Sequence, residues 1–229
     1  MTNEIIFILQ TIIGLCFTLV AFKLGKVWIY AFIASCVILA NIFVNKQITL
    51  LGLNATGGNV VYGAIFLATD LLSEHYGRKE ARKGVFIGFF VSLFFLTMTQ
   101  MIMFFQENSA DYGASEAMNV IFSTSPAIVF SSLIAYLISQ LNDIWFFHFL
   151  KNKTKGKYLW LRNNVSTWIS QLIDSVIFSF FAFLILPHLF NTIVLPISVV
   201  LQIVISTYIM KLIVSAIDTP FIYLSKSIK

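Results

Sequence analysis

Charge is scarce in this chain: of 229 residues only 11% are Asp, Glu, Lys or Arg, against roughly 25% in an ordinary soluble domain. That scarcity, with 59% hydrophobic residues and a mean hydropathy of +0.89, excludes a water-soluble globule and predicts an integral membrane protein. Cysteine is nearly absent too. Cys16 and Cys36 lie in apolar runs without metal-ligand spacing, which predicts small buried hydrophobes rather than a zinc site or a disulfide. The three histidines, His75, His148 and His188, fall near different membrane faces, and the chain has no P-loop and no Ser/His/Asp constellation. No metal, cofactor or catalytic residue is expected, and the chain does not read as an enzyme. Met1 to Glu4 lacks the basic segment of a cleavable signal, so the first apolar run is expected to stay as a span. The net charge of +5 does not point to nucleic acid, because the cations sit in short connections between apolar runs.

Seven such runs are present, at residues 5–22, 27–44, 59–76, 84–106, 126–150, 165–186 and 193–217. They predict an all-α polytopic bundle forming a single transmembrane domain over residues 1–229, in a lipid bilayer. Runs of about 18 residues rise about 27 Å, close to the hydrocarbon thickness. The third is short and polar at its inner end, so six to seven spans are predicted. With seven, the amino terminus lies outside and the carboxyl terminus in the cytoplasm, and 13 of the 15 Lys and Arg fall at cytoplasmic ends, as the positive-inside rule requires. Lys46 is then outside and Lys211 within a span. The acidic ENSADYGASEAMN stretch reads as an external loop, KNKTKGKYLWLR as a cytoplasmic one, residues 47–58 as a turn or re-entrant lid, and Pro187 as the end of the sixth span.

The organising stretch is NVVYGAIFLATDLLSEHYGRKEARK. Asp70 and Glu74, four apart, share a helix face, and a charge at mid-span costs about 2.5–3.5 kcal/mol on insertion scales. Asp174 and Lys211 carry the same cost. In the sixth run Ser166, Ser170 and Asp174 recur every four residues, with Asn163, Thr167 and Gln171 on the same or adjacent faces, a ladder of donors and acceptors along one side of a helix. Counted along ideal helices, Asp70 lies about 16 Å below the outer end and Asp174 about 18 Å above the inner one, both near the midplane where transporter sites are built. Asn41, Tyr62, Asp70, Trp168, Gln171 and Asp174 are therefore candidate substrate-binding residues, Trp168 being offset by six positions from Asp174. A second group, Glu74, Arg78, Lys211 and Asp218, is expected to form gate or structural ion pairs: Glu74 with Arg78, four apart, and near them Lys211 and Asp218, two turns apart on one face of the last helix, in a cluster that closes the cytoplasmic end.

The segments YGAIFLATDLLSEHYGRKEAR, LRNNVSTWISQLIDSVIF and AIDTPF closely resemble the signatures of the queuosine precursor transporter family, also called the putative vitamin uptake transporter family, over nearly the whole chain. The resemblance implies a bacterial inner-membrane importer of 7-deazaguanine bases, such as 7-cyano-7-deazaguanine, 7-aminomethyl-7-deazaguanine or queuine, for tRNA queuosine modification. It also implies kinship with the six-helix substrate-binding components of energy-coupling-factor transporters, whose six would match spans two to seven here. Such a base presents N1–H and an exocyclic amine side by side, which one carboxylate accepts together, while its O6 and N3 call for a donor such as Gln171 or Asn41. Trp168 and Tyr62 are candidates for stacking on its faces. Two other readings stay open, an importer of another small nucleobase or vitamin, and a membrane partner subunit that does not transport. Uptake is left as facilitated, ion-coupled or driven by a separate energising subunit, and a homo-oligomer is equally compatible with the sequence.

Overall fold

The computed structural model describes residues 2–122, 126–189 and 194–228. Helix α1 (Asn3–Leu24) and α2 (Lys26–Phe43) form a hairpin closed by Gly25, whose φ of 110° only glycine adopts without strain. A two-stranded antiparallel hairpin, β1 (Gln47–Leu50) and β2 (Leu53–Thr56), precedes α3 (Gly58–His75). The segment expected as a turn or lid is therefore a β-hairpin. Then come α4 (Arg78–Ile102), a short α5 (Ala114–Phe122), α6 (Pro126–Lys153) and α7 (Leu159–Phe180). A π-helical turn at residues 181–185 leads to α8 (Leu186–Leu189), and α9 (Ile197–Leu224) completes the bundle.

Pro187, expected to end the sixth span, lies inside a helix. Pro187 cannot donate to the Phe183 carbonyl four residues back. The preceding π turn widens the coil there, and the Leu195 N–H takes up that carbonyl at 3.2 Å. Helix α9 likewise runs through Pro220 to Leu224, seven residues past the predicted end of the span. Helix α4 begins at Arg78 rather than Gly84, so the basic cluster forms its first turns. Part of the acidic connection is the helix α5.

Among the described residues, six helices are long and apolar enough to cross a membrane, and α3 is not one of them. It is the centre of the bundle, packed against α1, α2, α4, α6 and α9, with Ile65, Phe66, Leu67, Ala68, Leu71 and Leu72 wholly buried. Gly63 permits the closest of these approaches, since a Cβ there would lie 2.1 Å from Val214 Cγ1 on α9. Helix α3 nevertheless runs the full height. At its start, Gly57 donates to the Lys46 carbonyl beside the β-hairpin; at its end, Glu74 meets the α6–α7 connection through Lys151 and Arg162. The described helices thus run seven times between a hairpin end and a basic end, with Asn3 and Ser225 at opposite ends. Asn3 Nδ2 donates to the Thr49 carbonyl at 3.1 Å, while Ser225 Oγ lies 2.8 Å from His75 Nε2.

The burial pattern is that of a membrane protein turned polar side in. Phe86, Phe90, Phe94 and Met98 of α4 are exposed, as a lipid face requires, whereas α7 buries Asn163, Ser166, Thr167, Ser170, Gln171 and Asp174. Cys36 is buried as expected; Cys16 is exposed among the apolar residues of α1.

Candidate functional site

A cavity of about 480 Å³ opens toward the hairpin end. Asn45, Gln47, Thr56 and Gln100 border its outer part, and its deepest lining residues are Ile65, Ser92, Tyr136, Asp174 and Lys211. Its surface is mainly aliphatic and aromatic, interspersed with Asn, Gln, Ser and Thr side chains and one acid–base pair, a make-up suited to a small polar molecule with flat apolar faces. Asp174 is the hub of the floor. Its Oδ1 accepts from the Tyr62 hydroxyl at 2.8 Å and from Ser139 Oγ at 3.2 Å, and its Oδ2 is paired with Lys211 Nζ. Lys211 also donates to Ser175 Oγ at 3.3 Å and stands 5.2 Å from the centroid of the Tyr62 ring, where the negative ring face attracts it. Tyr136 packs edge-on to Tyr62 at 6.5 Å. Four helices, α3, α6, α7 and α9, thus converge on one carboxylate that is 6% exposed.

Three of the six expected binding residues line this cavity: Asn41, Tyr62 and Asp174. Asn41 sits in the outer half, its Nδ2 bonded to the Val37 carbonyl of its own helix at 2.8 Å. Asp70, Gln171 and Trp168 do not line it. Asp70 is fully buried nearer the basic end, because the β-hairpin occupies the outer layer and α3 starts below it. Gln171 is 2% exposed and directed into the helix interface, one turn below the floor. Trp168 is 39% exposed and donates through Nε1 to Ser215 Oγ at 2.9 Å, so it bridges α7 and α9 at the outer surface. The six-position offset from Asp174 had already turned it away.

The expected ion pairs are rearranged. Lys211 pairs with Asp174 rather than Asp218, since seven residues along a helix is about 10.5 Å, and Asp218 Oδ1 instead accepts from Asn163 Nδ2 at 2.8 Å. Glu74 pairs with Arg162 Nη2 at 2.6 Å and Lys151 Nζ at 2.9 Å, not with Arg78. Gly77, at φ 89°, breaks the helix between positions 74 and 78 and removes the four-residue geometry that pairing requires. Arg162 is 1% exposed. It also donates to the Gly156 and Lys157 carbonyls, each at 3.0 Å, and lies 5.5 Å from the Phe147 ring centroid. This plug joins α3, α6 and α7 at the basic end, and no cavity-lining residue reaches it. Sequence reasoning overlooked Ser139, Tyr136 and Asp143 on α6. The four-residue spacing of Ser139 and Asp143, with Gln140 between them, inside a run that crosses the bundle was the available signal.

The description "putative vitamin uptake transporter" matches residues 56–225, a span that holds both the cavity floor and the Glu74 plug. The chain belongs to that family. A Bacillus subtilis (strain 168) protein described as a probable queuosine precursor transporter is 38% identical over 228 residues, covering 99% of this chain and 96% of that one. The queuosine precursor transporter of Escherichia coli (strain K12) is 26% identical over 156 residues, 68% of this chain and 67% of the other. A probable queuosine precursor transporter of Haemophilus influenzae is 25% identical over 130 residues, covering 57% and 52%. No solved structure matches. Members of this family are transporters by description, and the present member is a multi-pass membrane protein with a cavity of small-molecule size facing one end and a plug at the other.

Proposed function

We propose that this chain imports queuosine precursors, 7-deazaguanine bases such as 7-cyano-7-deazaguanine, 7-aminomethyl-7-deazaguanine or queuine, across the bacterial inner membrane. The observation that carries the reading is Asp174 at the floor of a cavity of small-molecule size, tethered to Lys211 and Tyr62. An anionic double acceptor suits the N1–H and exocyclic amine of such a base, and Lys211 supplies the donor its O6 needs. Tyr62 and Tyr136 offer ring surface for the flat base. On binding, the base replaces the Tyr62 and Ser139 donors, so Asp174 remains satisfied with and without substrate. The names of the relatives support the same substrate class.

The test is uptake of labelled 7-aminomethyl-7-deazaguanine and of labelled queuine by cells that express the chain and cannot make queuosine. Saturable uptake of at least one is expected. Saturable uptake of neither would transfer weight to the vitamin reading that the family description carries. In this proposal the hairpin end faces outward and the basic end the cytoplasm, following the positive-inside rule. A tag at residues 107–113 should then be labelled by a membrane-impermeant reagent in intact cells, and one at residues 154–157 only after permeabilisation. The reverse result would invert the orientation.

A further inference from the structure

Below the cavity floor lies a second polar layer that substrate binding does not use. Asp70 of α3 and Asp143 of α6 are both fully buried, and the neighbouring Thr69 Oγ1 to Gln140 Oε1 bond at 3.2 Å joins the two helices at this level, so that the two carboxyl groups come together. Neither oxygen of Asp70 receives a hydrogen bond from any N–H or hydroxyl among the described residues. Asp143 Oδ1 accepts from Thr167 Oγ1 at 3.4 Å, Ser166 of the same helix also reaches the Asp143 carboxyl, and Asp143 Oδ2 has no donor. Asp218 of α9 adds a third buried acid beside Asp70, while Glu74, one turn further along α3, is taken up by Arg162 and Lys151. The buried core that α1, α2 and α4 contribute is apolar, Leu15, Ile33 and Val85 among it, so no cation compensates from that side. Other polar atoms end here unpaired. Asn163 donates to Asp218 while its Oδ1 has no partner, and Gln140 accepts from Thr69 at 3.2 Å while its Nε2 has none. Among the described residues these acids do not converge into a metal-ion cage.

Two carboxylates facing each other in a buried, donor-poor place cannot both be ionised, and one proton shared between them removes the repulsion and makes the missing hydrogen bond. We propose that Asp70 and Asp143 hold a single transferable proton and that this pair couples transport to the proton gradient. The inference rests on the transport reading above and adds its energy source. The position fits: Asp143 is seven residues inward of the floor residue Tyr136, about 10.5 Å, and Glu74 of the plug is four residues beyond Asp70, about 6 Å. The proton enters from the hairpin-end cavity, occupies the bond between the two carboxyls, and is released to the opposite side when the Glu74 plug opens. One proton accompanies one substrate molecule, and no bond other than O–H is made or broken.

The first measurement needs no substrate. Infrared spectra of the purified wild-type protein at neutral pH should contain a protonated-carboxyl C=O stretch that shifts in deuterium oxide and is missing from both Asp70→Asn and Asp143→Asn. If the wild-type band is absent, or survives unchanged in both variants, the shared proton is refuted. The second uses proteoliposomes and labelled 7-aminomethyl-7-deazaguanine. An outside-acid gradient of about one pH unit should drive about tenfold accumulation in the wild type, collapsed by a protonophore. Asp70→Asn should retain substrate counterflow without gradient-driven accumulation. Wild-type counterflow that ignores the gradient would overturn the coupling while leaving the substrate reading intact. Failure of wild-type counterflow itself would overturn the substrate reading, and the infrared band would still decide the pair. Should either variant fail to elute as a single species, Asp70→Glu and Asp143→Glu, which keep the carboxyl, take its place: the band should move in both, and a band at its wild-type position in both would refute the shared proton.

Discussion

Asp174→Asn should lower uptake of 7-aminomethyl-7-deazaguanine by about a hundredfold or more while the protein still folds. Two charge-assisted hydrogen bonds from the base, at roughly 1.5–3 kcal/mol each, set that scale. The amide presents a donor where the base also presents donors, so a repulsive contact replaces an attractive one. Folding is less affected because Lys211 stays beside Ser175 Oγ and over the Tyr62 ring and borders the open cavity. The check is initial uptake rate in the same strain, matched to the amount of protein that elutes as a single species in detergent. A well-folded variant with normal uptake would remove Asp174 from the site, and one that fails to fold would make the Asp174–Lys211 pair a structural tie between α7 and α9.

The largest effect on stability is expected at the other end. Glu74→Gln leaves Arg162 buried at 1% exposure without its carboxylate, and breaking one side of a buried pair costs about 3–5 kcal/mol. The two carbonyl bonds to residues 156 and 157 remain, so the α6–α7 connection keeps its shape while α3 loses its tie to it. Thermal unfolding in detergent should begin well below the wild-type temperature, whereas Arg78→Gln should change it little. Equal destabilisation by both substitutions would mean that Arg78, not Arg162, holds Glu74.

These two sites differ in how far the sequence disclosed them, and the reason is geometric. Periodicity along one helix is legible, so the buried ladder of α7 and the place of Asp174 on it were readable from residues 163–174. Facing between helices is not. Lys211 and Asp218 share a helix face, but each takes its partner from α7, Asp174 and Asn163, and no spacing within α9 encodes that. Depth was misjudged for Asp70 because counting residues from Asn59 took that residue as the membrane surface. The β-hairpin in fact occupies the outer layer, so Asp70 ends one turn above the Glu74 plug while Asp174 lies twelve residues, about 18 Å, above Arg162. The apolar runs and the cation placement made the six long apolar helices legible, and they left the third run open as a six-or-seven count. The third pass is too polar to qualify by hydropathy and runs through the centre of the bundle, covered by five helices.

The most direct measurement of the central claim is equilibrium binding of labelled 7-aminomethyl-7-deazaguanine to the purified protein in detergent. The geometry predicts saturable binding in the wild type, competition by unlabelled 7-cyano-7-deazaguanine, and loss of binding in Asp174→Asn at an unchanged elution profile. Wild-type protein that binds neither base, or an Asp174→Asn protein that binds as tightly as the wild type, would contradict it.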